Sequence, residues 1–259
     1  MWTKLNHHWR VLATGICFAC FGVGGLLLTV TFFPLIYILP ASQRWKKGQA
    51  QLVIHLSFRL FVAMMVAMGV LAVTVNGREK LRGKGNHLII ANHPTLIDVV
   101  VLIAMLSRTE CIVKKELWDN PFLKGVVRAA GYISNENPRI LIDECVETIN
   151  YGHSLLIFPE GTRTIPGQAI RFTRGAANIA IRANKEITPV TISCSPPSLT
   201  KAQKWYQVPP DRPVELMINV GEAVKIRPFL HNTGNISVSA RKLTQYLERY
   251  FQQALLTYE

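Results

Sequence analysis

Two short stretches of this 259-residue chain hold side chains suited to moving a proton and gripping a phosphate. The first is NHPTLID (92–98), with His93 and Asp98 separated by four residues. A carboxylate bonded to one imidazole nitrogen fixes the tautomer and leaves the other nitrogen as a general base. Five residues of ideal helix would turn Asp98 about 140° away from His93. The two meet only if His93 precedes the first turn, and Pro94 predicts this by opening the helix at its first position. No Ser or Cys sits in a nucleophile elbow, so the proton would come from a substrate hydroxyl. The alternative is a helix-capping His with a surface Asp. The second stretch is FPEGTR (158–163), placed where a strand would deliver side chains to a ligand crevice. Arg163 can bind a phosphate bidentately, Gly161 permits close backbone approach and Thr162 offers a hydroxyl. Glu160 would hold Arg163 or bond a substrate hydroxyl. The alternative is a turn with a local Glu–Arg pair.

The elements that must position these residues follow from the hydrophobic pattern. Short apolar runs at 87–92, 111–115, 132–134, 154–158, 187–193 and 214–220 predict strands. Helical stretches alternate with them, opening at Pro94 and covering 119–131 and 138–152. This alternation predicts an α/β fold with a central mixed or largely parallel sheet flanked by helices. In the tail, Leu243, Tyr246, Leu247, Tyr250, Phe251 and Leu255 form one stripe of a terminal helix that packs on the core. The predicted division is residues 1–76 and an α/β domain over 77–259.

The first part is an N-terminal hydrophobic two-helix membrane motif. Residues 11–40 carry no charge, and about 20 apolar residues suffice to span a bilayer core. A second run, 52–75, is interrupted by His55 and Arg59. Lys4 and Arg10, then Arg44, Lys46 and Lys47, then Arg78, Lys80, Arg82 and Lys84 flank the two runs. Two full spans would put the middle cluster on the opposite face from the others, against the positive-inside tendency. A re-entrant hairpin with all clusters in one headgroup layer is the favoured arrangement. The net charge of +13, hydrophobic content of 49% and mean hydropathy of +0.20 exclude a disordered chain or a disulfide miniprotein. The charge fits nucleic acid, an anionic bilayer or a phosphate-bearing substrate, but no nucleic-acid recognition motif is present. The five scattered cysteines indicate a reducing compartment. His7 and His8 are read as a polar leader, His153 as a cation at a helix end, and Trp205 with Tyr206 as an interfacial anchor or an exposed loop.

NHPTLID followed about 65 residues later by FPEGTR resembles the glycerolipid acyltransferase family, specifically the 1-acylglycerol-3-phosphate acyltransferases. KKEL (114–117), PF (121–122), FTRGA (172–176) and TPVTI (188–192) fall in the order this resemblance predicts. It implies direct acyl transfer from acyl-CoA or acyl carrier protein to a lysophospholipid hydroxyl, with 1-acylglycerol-3-phosphate as the leading acceptor. His93 would be the base and Asp98 its orienter. Glu160, Gly161, Thr162 and Arg163 would hold the glycerol-phosphate end, and Lys114 or Lys115 would stabilise the oxyanion. The resemblance implies no metal and no bound cofactor, the thioester being a co-substrate. Its expected partners are membrane lipids and the acyl donor, not nucleic acid. The expected location is a bacterial inner membrane, with the active site facing the cytoplasm. GYISNEN (131–137) places Asn137 where the family usually has a phosphate-binding Arg, with Arg139 two residues on. That departure keeps two alternatives in view: another lysophospholipid or a specialised lipid or polyketide-like acceptor, and a non-catalytic lipid-binding protein.

Overall fold

The first apolar run forms a nearly continuous helix. In the computed structural model, which describes residues 2–81, 86–230 and 235–256, α1 (Trp2–Leu27) passes through a π-helical turn (Leu28–Phe32) into α2 (Phe33–Ile38). Pro34 has no N–H to give the preceding turn, and the wider π turn absorbs that gap without ending the helix. Arg82, Lys84 and His231, and the side chain of Arg139, lie outside the described residues.

Helix α3 (Gln43–Ala67) is capped by the Ser42 hydroxyl and ends at Gly69, whose φ of +70° is the left-handed stop. The Val70 N–H reaches the Met65 carbonyl and the Gly69 N–H reaches that of Val66, closing the helix. The following LAVTVN is rich in β-branched residues and becomes β1 (Leu71–Asn76). The apolar run 52–75 is therefore split between a helix and a strand, and the sheet draws β1 from within the predicted membrane segment.

The sheet has seven strands: β1, β2 (Leu88–Ala91), β3 (Thr109–Val113), β4 (Ile133–Ser134), β5 (Ser154–Ile157), β6 (Ile187–Ser195) and β7 (Val214–Val220). Their order is β1-β7-β6-β2-β5-β3-β4. Strands β2 to β6 run parallel to one another; β7 is antiparallel to β6, and β1 is parallel to β7. The sheet is mixed and mostly parallel, as the pattern predicts. β2 shows why its sequence lacks alternation: Ile89 and Ala91 enter the core on one face, Leu88 and Ile90 the core on the other.

On the first face pack α3, α4 (Asp98–Met105) and, beyond the short α5 (Lys115–Asp119), α6 (Lys124–Ala130). On the second pack α7 (Pro138–Asn150), α8 (Gly175–Arg182) and, after the one-turn α9 (Arg227–Leu230), α10 (Ile236–Leu256). Leu243, Leu247 and Phe251 of α10 are buried there, so the tail stripe is core, with Tyr246 left exposed at its edge.

The polar residues that interrupt the apolar runs have a structural use. The Gln51 amide donates to the Ala130 carbonyl (2.9 Å) and His55 Nδ1–H to that of Ile103 (2.8 Å), so α3 caps the C-terminal ends of α6 and α4. At the other end of the hairpin, Trp9 Nε1 and Arg10 donate to the Met68 and Gly69 carbonyls that follow α3. His153 is not a free helix-end cation. It and Lys47 both bond the buried Glu110 carboxylate at 2.7 Å, a centre that the sequence does not announce.

Candidate active site

His93, Asp98, Glu160 and Arg163 converge at the C-terminal rim of the parallel strands. His93 follows β2 by two residues, and Asn92 fixes it there. The buried Asn92 amide donates to the Ile192 carbonyl (2.8 Å), and its oxygen accepts the Ile192 N–H (2.7 Å), extending the β2–β6 ladder through a side chain.

The expected His–Asp contact is present: His93 Nδ1 lies 3.0 Å from Asp98 Oδ2. The expected helix start is not. α4 begins at Asp98, and residues 94–97 form a turn instead of a first helical turn opened by Pro94. The reason is Thr95. Its N–H donates to Asp98 Oδ2 and its hydroxyl to Oδ1, both at 2.7 Å, which folds the chain back before the helix can begin. Asp98 is fully buried. Burial pushes its carboxyl above the ordinary Asp range, opposed by the bonds from His93 and Thr95. An Asp98 oxygen accepts from Nδ1–H, so the basic lone pair lies on Nε2, which has no protein partner among the described residues. Phe158 stacks against the ring at 4.6 Å between centroids.

Glu160 does not pair with Arg163. Its Oε1 accepts the backbone N–H of His93 (2.9 Å) and the Thr164 hydroxyl (2.7 Å). Thr164 adds its own backbone N–H to the His93 carbonyl (2.7 Å). The second motif therefore holds the first one in place. Partial burial raises the Glu160 carboxyl, with the Thr164 and His93 bonds opposing. Gly161 has φ +65° and open space where a Cβ would stand, so left-handed backbone, not crowding, calls for glycine. The half-buried Thr162 makes no side-chain hydrogen bond with the described residues.

Arg163 is anchored by a loop that the sequence does not flag. One terminal nitrogen, Nη1, donates to both the Leu199 (2.8 Å) and Thr200 (2.9 Å) carbonyls. A guanidinium has five N–H donors, so Nε and Nη2 keep three for a ligand, in the fork that suits a phosphate. Lys114 and Lys115 follow β3 on the same rim but touch none of these groups. Lys115 pairs with Glu136, a bond that raises its ammonium pKa, and Lys114 is exposed at the start of α5. Asn137 accepts the Ile140 N–H at the start of α7, a capping position natural to Asn. Among the described residues, no cluster of three metal-ligating side chains occurs.

Residues 72–193, which carry both motifs, match the family model Acyltransferase. The domain belongs to the acyltransferase family. The chain is 34% identical over 132 residues to a Caenorhabditis elegans protein named as a 1-acyl-sn-glycerol-3-phosphate acyltransferase, covering 46% of this chain and 45% of that one. A Cocos nucifera 1-acyl-sn-glycerol-3-phosphate acyltransferase is 26% identical over 182 residues, covering 68% and 57%. The chain spans about half the length of these curated relatives. The crystal structure of the 1-acyl-sn-glycerophosphate acyltransferase PlsC from Thermotoga maritima is similar in fold to this chain. Its TM-score is 0.67 at 18% identity, covering 97% of this chain and 96% of that one.

Proposed function

We propose that this acyltransferase moves a fatty acyl group from a thioester, acyl-CoA or acyl carrier protein, to the hydroxyl of a lysophospholipid, with 1-acylglycerol-3-phosphate as acceptor and phosphatidic acid as product. The observation that carries the reading is the coupling of the two motifs: Glu160 and Thr164, which flank Arg163 in the chain, hold the backbone of His93. A base and a phosphate fork are thereby built as one unit.

In this reading His93 Nε2 takes the acceptor hydroxyl proton as that oxygen attacks the thioester carbonyl carbon. Asp98 stabilises the imidazolium that forms. The tetrahedral oxyanion collapses, the C–S bond breaks, and the proton on Nε2 passes to the departing thiolate. Arg163 holds the acceptor phosphate through Nε and Nη2. With Asn137 capping α7, the positive charge for this task falls on Arg163.

The two-helix segment supports a membrane location. Lys4–Ile38 and Gln43–Ala67 are both long and apolar enough to cross a bilayer. Leu12, Ile16, Val23, Leu27, Val30, Leu35 and Ile38 are exposed along the first. The capping bonds from Gln51 and His55 fasten α3 along the domain, so a full span by α3 would draw α4 and α6 into hydrocarbon. A hairpin lying in one leaflet, with the acyltransferase domain on the cytoplasmic surface, fits this attachment.

The test is mass-spectrometric product analysis of the purified protein, with several lyso-lipids offered alongside both thioester types. Phosphatidic acid formed from 1-acylglycerol-3-phosphate, and lost in His93→Ala, is expected. Undiminished turnover by His93→Ala would overturn the mechanism. Preference for an acceptor without a phosphomonoester would overturn the substrate.

A further inference from the structure

A cleft of about 560 Å³ lies at the opposite end of the sheet from His93. It is lined by the α2–α3 connector and the first turns of α3, by Ser107 and Arg108 ahead of β3, and by His153 and Ser154 at the start of β5. β5 carries Glu160 and Arg163 beyond its far end, so the four residues of this strand, about 13 Å at some 3.3 Å each, separate the cleft from the active-site rim.

Four cationic or basic side chains line the cleft: Arg44, Lys47, Arg108 and His153. Lys47 and His153 share one counter-charge, the buried Glu110. Among the described residues, Arg44 and Arg108 have no ion-pair partner, so the cleft holds an excess of positive charge. Two further observations sharpen this. The first turn of α3 contains no acidic residue and carries Arg44 and Lys46, where the positive end of the helix dipole disfavours cations and favours an anion. Arg108 adopts φ +55°, a left-handed backbone that side chains other than Gly, Asn and Asp rarely take. Beside it, Thr109 keeps a buried hydroxyl with no partner among the described residues. The surroundings are also distinctive. Trp45, on the cleft wall, is exposed, as are Tyr37, Ile38 and Leu39 on the chain leading to it. Aromatic rings beside basic groups are the pattern of a headgroup layer.

We propose that this cleft binds the phosphate of an anionic phospholipid headgroup, as a site separate from the acceptor site at Arg163. Arg44 and Arg108 supply the unpaired charge, and Trp45 borders the glycerol and the first acyl carbons. The proposal rests on the reading of the two-helix segment as membrane-lying, and it gives the connector a specific seat on an anionic bilayer.

The test titrates the full chain, held in neutral detergent micelles, with dihexanoyl-phosphatidylglycerol, dihexanoyl-phosphatidylcholine or inorganic phosphate, using native mass spectrometry. Arg44→Gln/Arg108→Asn removes the two charges and leaves an Asn that tolerates the left-handed backbone. Arg241→Gln/Lys242→Gln, on the exposed face of α10, removes the same charge elsewhere, and Arg163→Ala empties the active-site fork. Phosphatidylglycerol is expected to bind saturably, at least tenfold more tightly than phosphatidylcholine or inorganic phosphate. Its affinity should fall at least tenfold in Arg44→Gln/Arg108→Asn and stay within twofold of wild type in the other variants. Acyl transfer by Arg44→Gln/Arg108→Asn in neutral micelles should stay within twofold of wild type. Wild-type affinity in Arg44→Gln/Arg108→Asn, or equal binding of phosphatidylcholine, overturns the site. Inorganic phosphate binding as tightly as phosphatidylglycerol overturns the lipid source. Flotation on pure phosphatidylcholine vesicles separates the premise: failure of wild type to float defeats the membrane reading, while the micelle titration still judges the cleft.

Discussion

Replacing Asp98 with Asn separates the electrostatic role of the carboxylate from its place in the fold. Oδ2 accepts both the Thr95 N–H and the His93 Nδ1–H, and a backbone N–H only donates, so the Asn oxygen takes that position. The amide nitrogen replaces Oδ1 and donates to the Thr95 hydroxyl, which rotates to accept, so the turn and the Nδ1–H tautomer are kept. What the variant loses is the negative charge that stabilises the imidazolium formed as His93 takes the proton. Loss of general-base catalysis costs about 10²- to 10⁴-fold in rate, or roughly 2.7–5.4 kcal/mol of activation free energy. The expected result is a fall in kcat of about 10³-fold with KM little changed, measured by thiol release from acyl-CoA. His93→Ala/Asp98→Asn should be no slower than His93→Ala, since the pair acts as one device. Stability should move the other way. Burial raises the Asp98 pKa, so its contribution to stability is present below the unfolded carboxylate range and lost as pH rises through the folded value. Asn carries no such loss, so the Tm of Asp98→Asn relative to wild type should rise from acid to neutral pH. A kcat within threefold of wild type, in a folded variant, refutes the electrostatic role of the carboxylate.

Four further outcomes follow from the same geometry. Glu160→Gln keeps an oxygen for the His93 N–H and should lose less than tenfold in kcat, whereas Glu160→Ala should lose about 100-fold or more; equal losses would show that charge, not positioning, matters. Arg163→Lys should raise KM for 1-acylglycerol-3-phosphate by about 10- to 100-fold while leaving a neutral monoacylglycerol unaffected, as read from steady-state kinetics with both acceptors. His55→Leu removes the shorter of two bonds on the Ile103 carbonyl, leaving the Leu106 N–H at 3.3 Å, at a cost of about 0.5–1.5 kcal/mol, which should lower Tm by about 1–6 °C in scanning fluorimetry. Gly161→Ala forces a side chain into left-handed backbone at a cost of about 1–2 kcal/mol, and a fall in kcat/KM without loss of fold is expected.

What the sequence showed well was local. The strand runs and the stripe of α10 depend on nearest neighbours and period, and the His93–Asp98 spacing needed only the condition that His93 lie outside the helix. What it hid was decided by contacts between distant residues. Glu160 reads as a partner for Arg163, its neighbour in the motif, yet it bonds a backbone N–H 67 positions away. Arg163 takes its anchors from Leu199 and Thr200, whose carbonyls carry no side-chain signature. Thr95 reads as the interior of a helix until its two bonds to Asp98 turn it into the stop before one. β1 was masked by its apolar neighbours, and only Gly69 marks the break between helix and strand. Glu110 gave no sign of burial because its partners, Lys47 and His153, come from opposite sides of it in sequence.

The caps donated by Gln51 and His55 carry a practical consequence for anyone preparing this enzyme. Residues 1–69 look like a dispensable tether, and deleting them is the usual route to a soluble catalytic fragment. Here that deletion would uncover the carbonyl ends of α4 and α6 and bare the apolar face of the helix that begins at Asp98. The fragment would lose the helix that packs along α4, the element whose first residue is Asp98. Purification should therefore keep the whole chain and screen amphiphiles, since the apolar helices are packed into the same core as the first face of the sheet.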